Sequence, residues 1–180
     1  MFNLITDSVH YNKIIFLDFD GVLNTEHYQG LLQYQGKPWQ DEYGAFFDPK
    51  AVKQLKKIID ATGADVVVES SWKYLGLDAM KELWKVRNLP GKIIDITPSS
   101  VGEDYSLLTD LDKISPSMIY CKGIEIASWL SEHAKQNTRY VIIDDEYVIL
   151  DSQVSHFVLT NPYEGITEEQ ANRAISMLNK

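Results

Sequence analysis

Short, largely apolar runs alternate with longer amphipathic stretches along most of this chain. Ile14-Ile15-Phe16-Leu17, Ala64 to Val68, Lys92 to Ile96, Tyr140 to Ile143 and His156 to Leu159 are runs rich in Val, Ile, Phe and Leu. Such runs predict strands, and the unbroken valines of the second suggest burial on both faces. Between them, apolar positions recur at three- and four-residue spacing. Asp48-Pro49 reads as an N-cap and first helical residue ahead of Val52, Leu55, Ile58 and Ile59, with Gly63 as the stop. Asp78 is the expected cap of a second helix through Leu83, Trp84 and Val86, and Gly91 separates it from the third strand. Lys122 or Gly123 opens a third helix with Ile126, Trp129 and Leu130 apolar. Thr167-Glu168-Glu169-Gln170 fits a capping box before Ala171, Ala174, Ile175 and Leu178. Strands alternating with helices predict a three-layer α/β domain with a mostly parallel central sheet.

Two stretches interrupt the alternation. Residues 24–47 are aromatic and polar, contain Gly30, Gly36 and Pro38, and are long for a simple connection. Residues 99–117 are polar, with Gly102, Asp104 and Pro116. Both are expected to be small inserts near the strand ends, acting as a lid or a pocket wall. No linker divides the chain, so residues 1–180 are expected to form one domain.

Composition narrows the possible partners. The 180 residues are 44% hydrophobic and 24% charged, ordinary for a globular protein, with a net charge of -9. An acidic chain is a poor nonspecific binder of nucleic acid or anionic membrane, although a small basic pocket for one phosphate stays compatible with it. The lone Cys121 excludes an intrachain disulfide and fits a reducing, cytoplasmic setting. The opening Met1 to Asp7 lacks the basic region and apolar core of a signal peptide, and no run of 18 apolar residues predicts a membrane span.

The chemistry gathers at the ends of the predicted strands. The first strand runs directly into Asp18-Phe19-Asp20-Gly21. Two carboxylates at a buried strand end repel each other and lose hydration, and a divalent cation relieves both costs. An aspartate there can also act as a nucleophile. The second strand ends at Glu69-Ser70-Ser71-Trp72, Lys122 stands near a helix start, and the fourth strand ends at Asp144-Asp145. Taken singly, each has an ordinary reading: an Asp-Gly turn, a serine cap, a solvated lysine, an acidic turn. Their order together, on the expected elements, is what carries the signal.

This set resembles the phosphatase branch of the haloacid dehalogenase (HAD) superfamily, over residues 13 to about 178. The resemblance implies a Rossmann-like HAD fold with only small cap insertions. It also implies a Mg2+-dependent phosphomonoesterase working through an aspartyl-phosphate. Carried over, Asp18 would be the nucleophile, and Asp20 would protonate the leaving oxygen and then activate water. Ser70, or its neighbour Ser71, and Lys122 would hold the phosphoryl oxygens. The metal ligands would be Asp18, the main-chain carbonyl of Asp20, and Asp144; Asp145 would bind the metal directly, bind it through water, or instead hold Lys122. Mg2+ suits an all-oxygen site. Trp72-Lys73, Ile93 to Pro98 and Asp144-Asp145-Glu146 look like small bacterial or phage phosphatase-like domains, some of whose relatives occur in nucleic-acid end-repair proteins. The implied partner is a phosphate ester, with a nucleotide or nucleic-acid end preferred over a sugar phosphate.

Two other functions share parts of the pattern. A signalling receiver also combines a strand-end aspartate, metal-binding acids and a lysine, but its phosphorylated aspartate lies on a later strand. A non-catalytic HAD-like binding module would keep the fold alone. His27, Tyr28, Tyr34, Trp39 and Tyr43 are candidate substrate contacts in the first insert, where stacking on a base competes with packing. Lys37, Lys73 and Arg87 are candidates for further phosphates, against the usual reading of basic residues as solvated.

Overall fold

The computed structural model describes residues 12–99 and 122–180. Five parallel strands form the central sheet in the order β5-β4-β1-β6-β7, with β1 (Lys13–Leu17) in the middle. Its neighbours are β4 (Asp65–Val68) and β6 (Arg139–Asp144); β5 (Ile93–Ile96) and β7 (Phe157–Leu159) are the edges. Ile15 pairs with Val66 on one side and Val141 on the other, and the register runs on to Leu17 opposite Val68 and Ile143. The C-terminal ends of β1, β4 and β6 therefore lie side by side.

Alternate residues of β1 serve opposite layers. Ile15 and Leu17 join a core with α2 (Pro49–Thr62), α3 (Leu77–Val86) and α5 (Glu168–Asn179) through Leu55, Ile58, Met80, Leu83, Ala171 and Leu178. Ile14 and Phe16 face α4 (Lys122–His133), where Phe16 meets the edge of Trp129 with ring centroids 5.4 Å apart. Burial of both faces explains why β1 has no polar alternation. The expected three-layer, mostly parallel α/β architecture is present.

Several helix ends follow their local sequence. The Asp48 carboxylate accepts from the Lys50 amide at 2.8 Å, Pro49 takes the first turn, and Gly63 closes α2. Gln170 Oε1 accepts from the Thr167 amide at 2.8 Å at the start of α5. One expectation is corrected. The cap position of α3 is Gly76, and Asp78 lies in the helix's first turn. A 3-10 turn over Ser71–Leu75 ends at Gly76 and runs straight into α3, leaving no room for a longer lead-in. Asp78 there complements the positive end of the helix dipole.

Residues 24–47, expected only as an insert, hold α1 (Glu26–Tyr34) and a small antiparallel hairpin of β2 (Gln40–Asp41) and β3 (Gly44–Ala45). Thr25 caps α1, and its hydroxyl donates to Asp48 Oδ2 at 2.9 Å, tying the insert to the start of α2. Of the 99–117 insert, all but Ser99 lies outside the described residues, as does Cys121. Among the described residues, no helix is long and apolar enough to cross a membrane.

Candidate active site

The C-terminal ends of β1 and β6 bring Asp18, Asp144 and Asp145 together, with one carboxylate oxygen of each within 4.8 Å of the others. Asp18 follows β1, and its amide donates to Ile143 O of β6 at 3.1 Å, so the two strand ends are locked in register beneath the site. The chain then turns tightly, with the Val22, Leu23 and Asn24 amides all donating to Phe19 O. Gly21 sits in this turn at φ 66 with the Asp145 side chain directly against it, and a Cβ there would collide with that carboxylate. Both the backbone angle and the close approach require glycine.

Lys122 reaches the same point from the first residue of α4. Its Nζ donates to Asp18 Oδ2 at 2.9 Å and to Asp144 Oδ2 at 2.7 Å. The helix start is held close by Gly123, whose amide donates to Val148 O at 3.0 Å and whose carbonyl accepts from Gln153 Nε2 at 2.8 Å. A side chain at position 123 would come within 2.5 Å of the Leu150 amide nitrogen, so glycine lets Lys122 come this near.

The electrostatics follow from burial. Asp18 and Asp144 are nearly inaccessible, at 5% and 1% exposure. Burial, and then the Asp18 charge, raise Asp144 to about 7 against the opposing pull of Lys122. Burial and the same Asp18 charge raise Asp145 as well. Burial works against the Lys122 charge, but the Asp18 and Asp144 carboxylates outweigh it and hold that ammonium above the ordinary lysine range. Three acids with one lysine leave an excess of negative charge in a confined, all-oxygen cluster. That donor set fits a hard divalent cation such as Mg2+.

Asp20 lies two residues beyond Asp18 and is exposed. Its carboxylate is not part of the three-acid cluster. Asn24 Nδ2 donates to its Oδ1 at 2.6 Å, and the Trp72 indole donates to its Oδ2 at 3.0 Å. Trp72 is fixed in turn by edge contact with Phe19 and by Phe47, at centroid distances of 5.6 and 5.8 Å. Neither Asn24 nor Trp72 was a site residue in the sequence reading. The four-residue spacing from Asp20 to Asn24 was a usable signal; the contact from Trp72, 52 positions away, was not.

Of the two serines after β4, Ser70 is buried and its Oγ accepts from the Trp72 amide at 3.4 Å, whereas Ser71 is exposed. Lys73 does not face solvent. It is 4% exposed and donates to Glu69 at 3.1 Å, to Thr97 at 2.8 Å and to Glu125. Arg87 is likewise engaged, donating to Asp41 Oδ1 at 2.6 Å and to the Gly44 and Ala45 carbonyls at 3.0 and 2.8 Å. Its guanidinium lies over the Phe47 ring at 4.8 Å, so it clamps the hairpin. Both residues are corrected from phosphate candidates or solvated cations to structural ones.

A cavity of about 530 Å³ opens beside Asp20 and Asp145, between α1 and the hairpin. Of the five candidate aromatic or histidine contacts, Trp39 borders it; His27 lines a separate depression with Tyr163, and Tyr43 packs on the core.

Comparison with protein families matches residues 14–171 to the HAD domain in Swiss Army Knife RNA repair proteins. No curated protein and no solved structure matches the chain. The match spans every strand of the sheet and both ends of the acidic site, and the chain therefore belongs to the family of HAD domains found in Swiss Army Knife RNA repair proteins.

Proposed function

We propose that the protein is a Mg2+-dependent phosphomonoesterase acting on the terminal phosphate of a nucleic acid or nucleotide, with Asp18 as nucleophile. The observation that carries this reading is the pairing of Lys122 with both Asp18 and Asp144 at adjoining strand ends, with Asp20 two residues away on its own pair of hydrogen bonds. The family match to RNA repair proteins supports a nucleic-acid end as substrate.

The residues divide the work. A carboxylate oxygen of Asp18 attacks phosphorus as the bond to the leaving oxygen breaks, giving an aspartyl-phosphate. Asp20, in its protonated form, delivers a proton to the leaving oxygen and then takes one from the water that attacks the intermediate. That second attack releases inorganic phosphate and returns Asp18. Lys122 offsets charge on Asp18 and on the transferring oxygens, and Ser70 donates to one of those oxygens. Asp18, Asp144, Asp145 and the Asp20 carbonyl would hold Mg2+, which supplies charge neutralisation at the phosphoryl group.

Phosphate release tests this. Nucleotides, sugar phosphates and oligonucleotides with 5'- or 3'-phosphates would be incubated with Mg2+ or with EDTA. The expected result is metal-dependent release, fastest from oligonucleotide or nucleotide ends. Faster turnover of sugar phosphates would overturn the substrate assignment, and no release from any of them would overturn the enzyme assignment.

A further inference from the structure

The cavity beside Asp20 has features that the phosphoryl-transfer chemistry does not require. Asp20, Gly21 and Asp145 line it together with residues of α1, Trp39 and Ala45. A volume of about 530 Å³ suits one small organic group. Its position matters most: whatever fills it lies next to Asp20, the residue assigned to protonate the leaving oxygen.

The lining describes the guest. Trp39, 39% exposed, is the aromatic member of the lining. Asn24 and Gln33 supply amide groups. Gln29 also lines the cavity, but its Nε2 donates to Phe46 O at 2.8 Å and its Oε1 is buried, so its amide is not offered to a guest. Among the described residues, the charged members of the lining, Asp20, Glu26 and Asp145, are all acidic. An aromatic wall with amide groups suits a flat, hydrogen-bonding group such as a base.

Gly30 completes the shape. It stands in the interior of α1 and borders the cavity, although glycine weakens a helix. A Cβ there would meet nothing within 4 Å, and its backbone is not left-handed. The missing side chain serves neither packing nor a turn; it leaves the space open.

We propose that this cavity seats the single terminal nucleoside of the substrate as the leaving group, with its base against Trp39. The proposal rests on the phosphatase reading above. The ester bond between phosphorus and the sugar oxygen breaks as the Asp18–phosphorus bond forms, and the nucleoside leaves with the proton from Asp20.

Gly30→Leu tests the cavity directly, because the helix accepts leucine and the new side chain fills the space. Turnover of adenosine 3'- and 5'-monophosphates and acetyl phosphate would be compared in wild type and variant. Acetyl phosphate has a leaving group too small to use the cavity. In wild type, one of the two monophosphates should be the faster substrate. In Gly30→Leu the ratio of kcat/KM for that monophosphate to that for acetyl phosphate should fall at least tenfold, chiefly through KM. Trp39→Ala should lower the same ratio. An unchanged ratio in both variants would overturn the nucleoside site while leaving the phosphatase reading standing. Adenosine binding by calorimetry separates the converse case: binding lost in Gly30→Leu without any turnover would support the site and remove the enzyme. Neither binding nor turnover would overturn both.

Discussion

Replacing Lys122 with methionine removes the cation shared by Asp18 and Asp144 and keeps most of the side-chain volume. The ammonium lies 2.9 and 2.7 Å from the two carboxylates, whose side chains are 6% and 2% exposed. Breaking a buried ion pair costs about 3–5 kcal/mol because the remaining charge is left uncompensated. The Lys122 side chain is 21% exposed, so water screens part of its interaction and the lower figure applies, about 3 kcal/mol. In a domain of this size each kcal/mol moves the melting temperature by about 2–4 °C, giving a metal-free variant that melts about 6–12 °C below wild type. Burial raises Asp144 to about 7 in wild type and loss of Lys122 raises it further, so the comparison belongs at pH 8 or above, where protonation relieves the variant least. Mg2+ should restore part of the loss. A ligand at one hundred times its dissociation constant adds about 2.7 kcal/mol, and the variant, with a more negative site, should gain more than wild type. Scanning calorimetry in EDTA and in Mg2+ measures both effects. A variant as stable as wild type in EDTA would refute the charge argument. Melting temperatures unmoved by Mg2+ in both proteins would refute the metal site.

Three further substitutions probe the surroundings. Trp72→Phe keeps the ring packing on Phe19 and Phe47 but removes the donor to Asp20. We expect kcat to fall about tenfold, equivalent to about 1.4 kcal/mol, with an altered pH–rate profile and little change in KM; an unchanged kcat and profile would exclude a positioning role. Glu69 is raised to about 8 by burial, partly offset by Lys73 and reinforced by Glu125. The folded protein thus keeps a proton that the unfolded chain releases above its ordinary carboxylate range. This contribution to stability is fully present below about pH 4.5, the ordinary value, and is lost as pH rises toward 8. Glu69→Gln should flatten that slope in denaturant unfolding between pH 5 and 9, and an unaltered slope would contradict the assignment. Lys73→Met leaves two acids beside Thr97 without their cation and should cost about 3 kcal/mol or more at pH 8; a loss below about 1 kcal/mol in equilibrium unfolding would mean the cluster is not held by that charge.

The legible parts of the chain were those with a strong local cause. The strands stood out because both faces of β1 are buried, by Leu55 and Met80 on one side and Trp129 on the other. Asp48, Pro49 and Gly63 set the ends of α2 within a few residues of sequence. In contrast, α1 buries Leu32 alone and carries Gly30, so its apolar period is faint, and the hairpin strands are two residues each. Asp18, Lys122, Asp144 and Asp145 could be grouped in advance because each sits at an element end that a parallel sheet brings to one edge. The buried Lys73 cluster was hidden: Glu69 lies four residues away, but Glu125 and Thr97 come from separate elements, and nothing local marks the lysine as enclosed. The Trp72 contact with Asp20 is equally nonlocal.

The central claim is that Asp18 carries the phosphoryl group. Mixing the protein with an oligonucleotide bearing a radiolabelled terminal phosphate, in Mg2+, and quenching in acid on the millisecond scale would detect it. The account predicts transient label on the wild-type protein, located by peptide mapping to the segment containing Asp18 and absent from Asp18→Asn. Phosphate release without any protein-bound label, and at the same rate in Asp18→Asn, would contradict it.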